Sequence, residues 1–210
     1  MEVYEQIQRY EPFDEQESRD RKQILDYMRR YSNIYERTNE IAHMTSSAWI
    51  INPSATHVLM VYHNIYDSWS WCGGHSDGEK DLLKNALKEG KEETGVKKLS
   101  PLLKDIFSIE VLSVAEHIKN GKRIKAHKHL NVTYLCVGDE EKLLRCKPDE
   151  NSGVKWIAID ELEAYVKEEH MLPIYRKLIA KQRLLSKKHI IWAPFLWYAC
   201  LFAYPIRNAR

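Results

Sequence analysis

The stretch from Gly73 to Val96 constrains the fold more than any other part of this chain. It opens with Gly73-Gly74-His75-Ser76-Asp77-Gly78-Glu79 and closes with Glu92-Glu93-Thr94-Gly95-Val96. Ser76 and Glu79 have the spacing of a capping box, and Gly95 stands where a helix commonly stops, so the spacing predicts a helix between them. Leu82, Leu83, Ala86, Leu87 and Gly90 form a stripe on that helix that must face a core. Glu89, Glu92 and Glu93 fall at i, i+3 and i+4, which gathers their carboxylates on a neighbouring face. Like charges so placed repel by a few tenths of a kcal/mol per pair. A hard divalent cation such as Mg²⁺ would relieve the conflict, because it prefers carboxylate oxygens. On the glutamates alone, a solvated acidic helix end is the plainer alternative.

Around this segment the chain alternates strands and helices. Residues 1–43 read as an N-terminal helical extension, with Ile24, Leu25, Met28 and Tyr31 at helical spacing, Asp14 or Ser18 as a start and Ser32-Asn33 as an interruption. Residues 44–188 read as the main domain. Ala48 to Ile51 and Val58 to Tyr62 predict strands around an Asn52-Pro53-Ser54 turn, and Trp71-Cys72-Gly73-Gly74 reads as a loop. Strands are also expected over 106–114, 129–137 and 154–159, with Asn120-Gly121 as a hairpin turn. Asp160 is a candidate cap for a helix to about Glu169, and Pro173 opens a last helix running to Lys187. The pattern is α/β, with a mixed sheet packed by helices.

The segment from Gly74 to Val96 resembles the Nudix box: glycine, five residues, glutamate, seven residues, then Arg-Glu-apolar-any-Glu-Glu-any-Gly-apolar. The match falls on Gly74, Glu89, Glu92, Glu93, Gly95 and Val96, and the wider resemblance runs from about Thr45 to Glu169. The early glutamate of the box is Lys80 here and its arginine is Lys88, so the pair that supports the motif in the family is replaced, with Glu79 and Asp81 beside Lys80 as substitutes. Gly90 stands in place of a larger apolar residue, which costs helix propensity and permits close packing.

The resemblance implies a mixed sheet sandwiched between helices and a reaction in which water attacks phosphorus in a nucleoside diphosphate derivative, with Mg²⁺ (or Mn²⁺) as cofactor. It implies Glu92 and Glu93 as ligands, Glu89 as ligand or base, the Gly74 carbonyl in the shell, and Glu150 as an extra ligand or base from the loop before the late strand. His75, His127 and His129 are weaker substrate candidates, the last two sharing one strand face. Partly exposed histidines on a hairpin are the plainer reading of that pair. Arg37 and His43 are candidate pocket residues, and Trp69 and Trp71 read first as packing residues. A competing reading is a Nudix-fold nucleotide-binding or sensor module with little catalysis, suggested by Lys80 and Lys88. An isomerase on the same fold would need a cysteine in a dedicated motif, which Cys72 and Cys136 lack.

The 32 basic and 30 acidic residues leave a formal charge of +2, so bulk charge offers no strong nucleic-acid signal. Four cysteines without paired spacing, and a polar, acidic beginning, suggest free thiols in a reducing cytoplasm. Residues 189–210 form an apolar, aromatic C-terminal tail, and 190–206 hold no charge. At 17 residues with two prolines that run is at the short limit for a membrane span. Docking on the domain or at a homodimer interface is therefore preferred to membrane contact.

Overall fold

The computed structural model describes residues 2–119, 121–140 and 143–187, so the tail expected over 189–210 lies outside the described residues. The chain opens with helices α1 (Val3–Arg9) and α2 (Glu15–Arg30), followed by strands β1 (Ala42–Ile51), β2 (His57–His63), β3 (Ser68–Ser70) and β4 (Cys72–His75). Helix α3 (Leu82–Thr94) leads to β5 (Leu99–Pro101), β6 (Ser108–Val114), β7 (His117–Lys119), β8 (Lys122–Ile124), β9 (His127–Gly138) and β10 (Asn151–Ala158). Helices α4 (Leu162–Tyr165) and α5 (Leu172–Lys187) close the described chain. Among the described residues, no helix is long and apolar enough to cross a membrane.

Eight strands form one mixed sheet in the order β10-β2-β1-β9-β5, with β3 on β2, β4 on β1 and β6 on β9. Its centre is a ten-residue parallel pairing of β1 with β9, from Ala42 opposite Lys128 to Ile51 opposite Val137. Both strands are shared by two antiparallel neighbours. β1 pairs β2 at Ile51 but β4 over Thr45 to Ala48, and β9 pairs β5 at its end but β6 along its first half. Every residue of β1 is buried, as expected of a strand covered on both faces.

The period of two divides the core. Met44, Ala48 and Ile50 of β1 pack with Ile7, Ile24, Leu82 and Ala86, on the side of α1, α2 and α3. Trp49 and Ile51 pack with Leu162, Met171, Tyr175 and Leu178, on the side of α4 and α5. The sheet is thus sandwiched between helices, as expected. A buried hydrogen bond from Trp49 Nε1 to Gln182 Oε1 (2.9 Å) pins α5 to the sheet centre.

The N-terminal segment holds two helices where one interrupted helix was expected. Asp14 caps α2 by accepting from Glu17 N–H at 2.8 Å, and α2 ends before Ser32-Asn33. It joins the domain through buried charge. Lys177 Nζ lies 2.9 Å from Glu110 and 3.2 Å from Glu17, and Lys181 Nζ lies 2.8 Å from Glu17. Tyr10 Oη also donates to Glu17 (2.6 Å). Burial alone would raise the Glu17 pKa, but the Lys177 and Lys181 ammoniums outweigh it and hold the carboxyl down at about 2.

Three local expectations need correction. The Cys72-Gly73-Gly74 stretch is strand β4 and not a loop, because Ala48 to Ser46 supply it with a ladder partner. Ser76 does not cap α3: its hydroxyl donates to the Tyr35 and Met44 carbonyls, and the cap is Asp81, which accepts from Lys84 N–H at 3.0 Å. Asp160 makes no cap; a 3₁₀ turn (Ile159–Glu161) precedes α4, which stops at Tyr165, and Arg183 takes the Asp160 carboxylate instead. β7 and β8 form a separate two-stranded ladder with Gly121, at φ 74°, between them, and the expected turn partner Asn120 lies outside the described residues.

Candidate metal and active site

Helix α3 is held at both ends and along one side. Asp81 caps its start, and Gly95 ends it at φ 69°, a left-handed conformation that glycine adopts without strain. Gly90 faces the sheet so closely that a Cβ there would stand 2.9 Å from Leu99 Cδ2 and 3.1 Å from Ile50 Cδ1. The missing side chain therefore sets how near α3 lies to β1 and β5.

That approach brings two of the three box glutamates against β4. Glu93 is 6% exposed and accepts from Gly73 N–H at 3.3 Å. A Cβ on Gly74 would meet Glu89 Cδ at 2.8 Å, so only glycine leaves room for the Glu89 carboxylate. The third partner comes from the start of β10. A turn closed by the Glu150 and Asn151 amides on the Lys147 carbonyl presents Glu150, and Asn151 Nδ2 donates to the Glu93 carbonyl (3.0 Å), tying that turn to α3. Carboxylate oxygens of Glu89, Glu93 and Glu150 lie within 4.8 Å of one another.

Burial, then the Glu89 and Glu150 charges, push the Glu93 carboxyl up to about 8, and burial likewise raises Glu89. Glu92 does not join the trio. Its half-exposed carboxylate faces Lys147 at 3.8 Å and Lys88 at 3.9 Å. Lys147 also pairs with Glu150 (2.9 Å), and Lys88 with Glu89 (3.5 Å). The loop support expected from residues beside Lys80 is present in another form: Glu79 pairs with Lys84 at 2.5 Å and accepts from Asp81 N–H.

The histidine candidates sit together, but on the other face of β4. Gly74 faces α3, so the next residue, His75, faces away, and its Nε2 lies 3.2 Å from His129 Nε2. His127 Nε2 is 3.1 Å from the same atom. His127 and His129 are thus partly exposed, on a strand paired antiparallel with β6, and they belong to a cluster at the start of β9. Of the pocket candidates, His43 joins this cluster, while Arg37 is paired with Asp77 through Nε at 2.5 Å. Trp71 packs edge-on against Tyr175, and Trp69 against Tyr62 and Tyr165.

Sequence reasoning missed Lys147 and Asn151, which carry no spacing signal and reach the site only through the β2–β10 pairing. Of the histidine convergence, the sequence carries only the two-residue spacing of His127 and His129; His43 is brought to them by the β1–β9 register.

The model of the NUDIX domain matches residues 42–181, two thirds of the chain. No curated protein matches. Among solved structures, an Ap4A hydrolase of C. elegans is 17% identical, over 65% of this chain and 95% of its own, with a TM-score of 0.46. A NUDIX hydrolase from Nitrosomonas europaea is 20% identical over 67% and 88% (TM-score 0.49), and one from Clostridium perfringens 16% over 66% and 96% (TM-score 0.47). The assignment rests on the domain match, whose span runs from the start of β1 into α5 and takes in the whole sheet and α3. This chain belongs to the NUDIX family.

Proposed function

We propose that the protein is a metal-dependent hydrolase of phosphoric anhydrides, acting on a nucleoside diphosphate derivative by attack of water on phosphorus. The observation that carries this reading is the meeting of Glu89, Glu93 and Glu150, from two separate elements, within 4.8 Å. An all-oxygen donor set with no histidine or cysteine in it suits Mg²⁺ or Mn²⁺. Burial and the neighbouring Glu89 and Glu150 charges raise the Glu93 carboxyl to about 8, and a bound cation would offset both.

Glu89 and Glu93 would hold the ion, with Glu150 and the Gly74 carbonyl as further donors. The ion, when bound, would neutralise diphosphate oxygens and acidify water. Glu150 enters from a different element than the helix pair and is assigned to accept the proton of the attacking water. Glu92, one turn from Glu89 and exposed, is assigned a peripheral place, either on a second ion brought with the substrate or in holding Lys147. Lys147 keeps the Glu150 carboxylate in position and places positive charge where diphosphate oxygens would approach.

The test is hydrolysis of nucleotide sugars, dinucleoside polyphosphates, dinucleotide cofactors and oxidised nucleotides with Mg²⁺ or Mn²⁺. Glu93→Gln should lower kcat by at least ~10²-fold, and Glu92→Gln by less. Unchanged turnover in Glu93→Gln would refute the assignment of the site. The Lys88–Glu89 pair favours a second reading, a nucleotide-binding module whose lysine occupies the cation's place. Nucleotide binding with no turnover of any diphosphate would establish that reading.

A further inference from the structure

On the opposite face of β4 from the carboxylates, four histidines converge. We propose that His43, His75, His127 and His129 form a second metal site, built for a borderline transition-metal dication of the Zn²⁺ class and distinct from the glutamate site.

The geometry comes from the strand registers. His43 and His129 face each other across the parallel β1–β9 pair, and His127 precedes His129 by two residues on the same face. β4 sets His75 opposite Thr45, two residues from His43 along β1. One ring nitrogen from each of the four lies within 4.8 Å of all the others. The two shortest separations, 3.2 Å for His75–His129 and 3.1 Å for His127–His129, are close to the edge of a tetrahedron with metal–nitrogen bonds of ~2.1 Å, which is ~3.4 Å.

Hydrogen bonding at the back of the rings points the same way. His43 Nδ1 lies 3.0 Å from the Asn39 carbonyl, and His127 Nδ1 lies 2.8 Å from the Lys125 carbonyl. A carbonyl only accepts, so both rings carry their proton on Nδ1 and turn an Nε2 lone pair inwards. This is the arrangement that orients imidazoles on a metal. His43 is 4% exposed, and its Nε2 has no hydrogen-bond partner. A buried nitrogen left without a partner carries a desolvation cost that a bound ion would remove.

Hydrogen bonds among the rings alone cannot remove that cost. His43 Nε2 makes no such bond, and His129 Nε2, with one proton or one lone pair, already faces two rings. A single dication accepts a lone pair from every ring. Burial, followed by the other histidines, holds His129 far below the usual imidazole pKa, at about 2, and burial also lowers His43. These two rings are therefore held neutral, the form that binds a metal. The Asp77 carboxylate acts on His75 and His43, and its charge is balanced by Arg37, which also acts on His43. Four nitrogen donors exclude Mg²⁺ and Ca²⁺, which take oxygen, and suit Zn²⁺.

The experiment uses the tag-free full chain, stripped with chelator and titrated with Zn²⁺ alone. One tightly held Zn²⁺ per chain is expected, and Co²⁺ in its place should give the visible absorption of a tetrahedral site. His127→Gln, at the half-buried start of β9, should weaken Zn²⁺ binding at least ~10-fold, since even supporting partners of ligands cost 10- to 100-fold when removed. Circular dichroism verifies that the variant is folded. Glu93→Gln should leave Zn²⁺ stoichiometry unchanged. No stoichiometric Zn²⁺, or equal affinity in wild type and His127→Gln, would overturn the proposal. The readout is metal content, so it stands or falls separately from diphosphate hydrolysis.

Discussion

Replacing Lys177 by methionine tests whether the N-terminal helices are held to the domain by buried charge. The Lys177 side chain is 4% exposed and bridges Glu110 at 2.9 Å and Glu17 at 3.2 Å, which are themselves 1% and 0% exposed. Methionine fills a similar volume but leaves two carboxylates with one ammonium, Lys181, which reaches only Glu17. Removing one partner of a buried pair costs about 3–5 kcal/mol. The surviving donors to Glu110, from Ser108, Asn131 and Thr133, place the expected loss towards the lower end. For a chain of this size each kcal/mol moves Tm by about 2–4 °C, so Lys177→Met should lower it by about 6–12 °C. Urea unfolding at pH 7 would give the free energy directly. Glu110→Gln added to Lys177→Met should recover more than half of the loss, because a neutral amide needs no counter-charge. A loss below about 1 kcal/mol, or a double variant no more stable than the single one, would refute the reasoning.

Other outcomes follow from the same geometry. Because the Glu17 pKa is depressed from 4.5 to about 2, its stabilisation is complete above pH 4.5 and is lost as pH falls towards 2. That acid limb is worth about 3 kcal/mol and should flatten in Glu17→Gln when Tm is followed against pH. Gly90→Ala gains up to about 1 kcal/mol of helix propensity but places a methyl 2.9 Å from Leu99, so a net loss of about 1 kcal/mol is expected in urea unfolding, relieved by Leu99→Ala in the same background. Asp81→Ala removes the cap of α3 and should cost about 0.5–2 kcal/mol by the same measurement.

Much of the molecule is legible in its sequence where local rules decide. The Gly95 stop, the stripe from Leu82 to Gly90 and the alternating strands depend on periods of 3.6 and 2 that neighbours seldom override. The capping box at Ser76 and Glu79 misled because Ser76 found stronger partners, the Tyr35 and Met44 carbonyls, that are remote in sequence. β4 was hidden for a related reason: glycines are poor strand formers, and only pairing with β1 makes that stretch extended. Helical spacing places Glu89, Glu92 and Glu93 on one face but cannot tell which turns inwards. The packing of α3 on β4 separates buried Glu93 from exposed Glu92, and tertiary pairing alone brings Glu150, 57 positions after Glu93, to the same point.

The parallel pairing at the centre of the sheet carries a consequence for how the protein folds. Thr45 and Asn131, side by side in the native structure, are 86 residues apart in the chain. Strand β1 therefore cannot acquire its long neighbour until the chain has been synthesised through β9, and closing so large a loop must precede the contacts that repay it. The carboxylate trio joins Glu89 and Glu93, from within that loop, to Glu150 beyond it, and the histidine cluster joins residues at its two ends. Folding should accordingly be slow for the chain's length, with both clusters assembling late. A ligand for either would then act chiefly as a brake on unfolding, while leaving the rate of folding little changed.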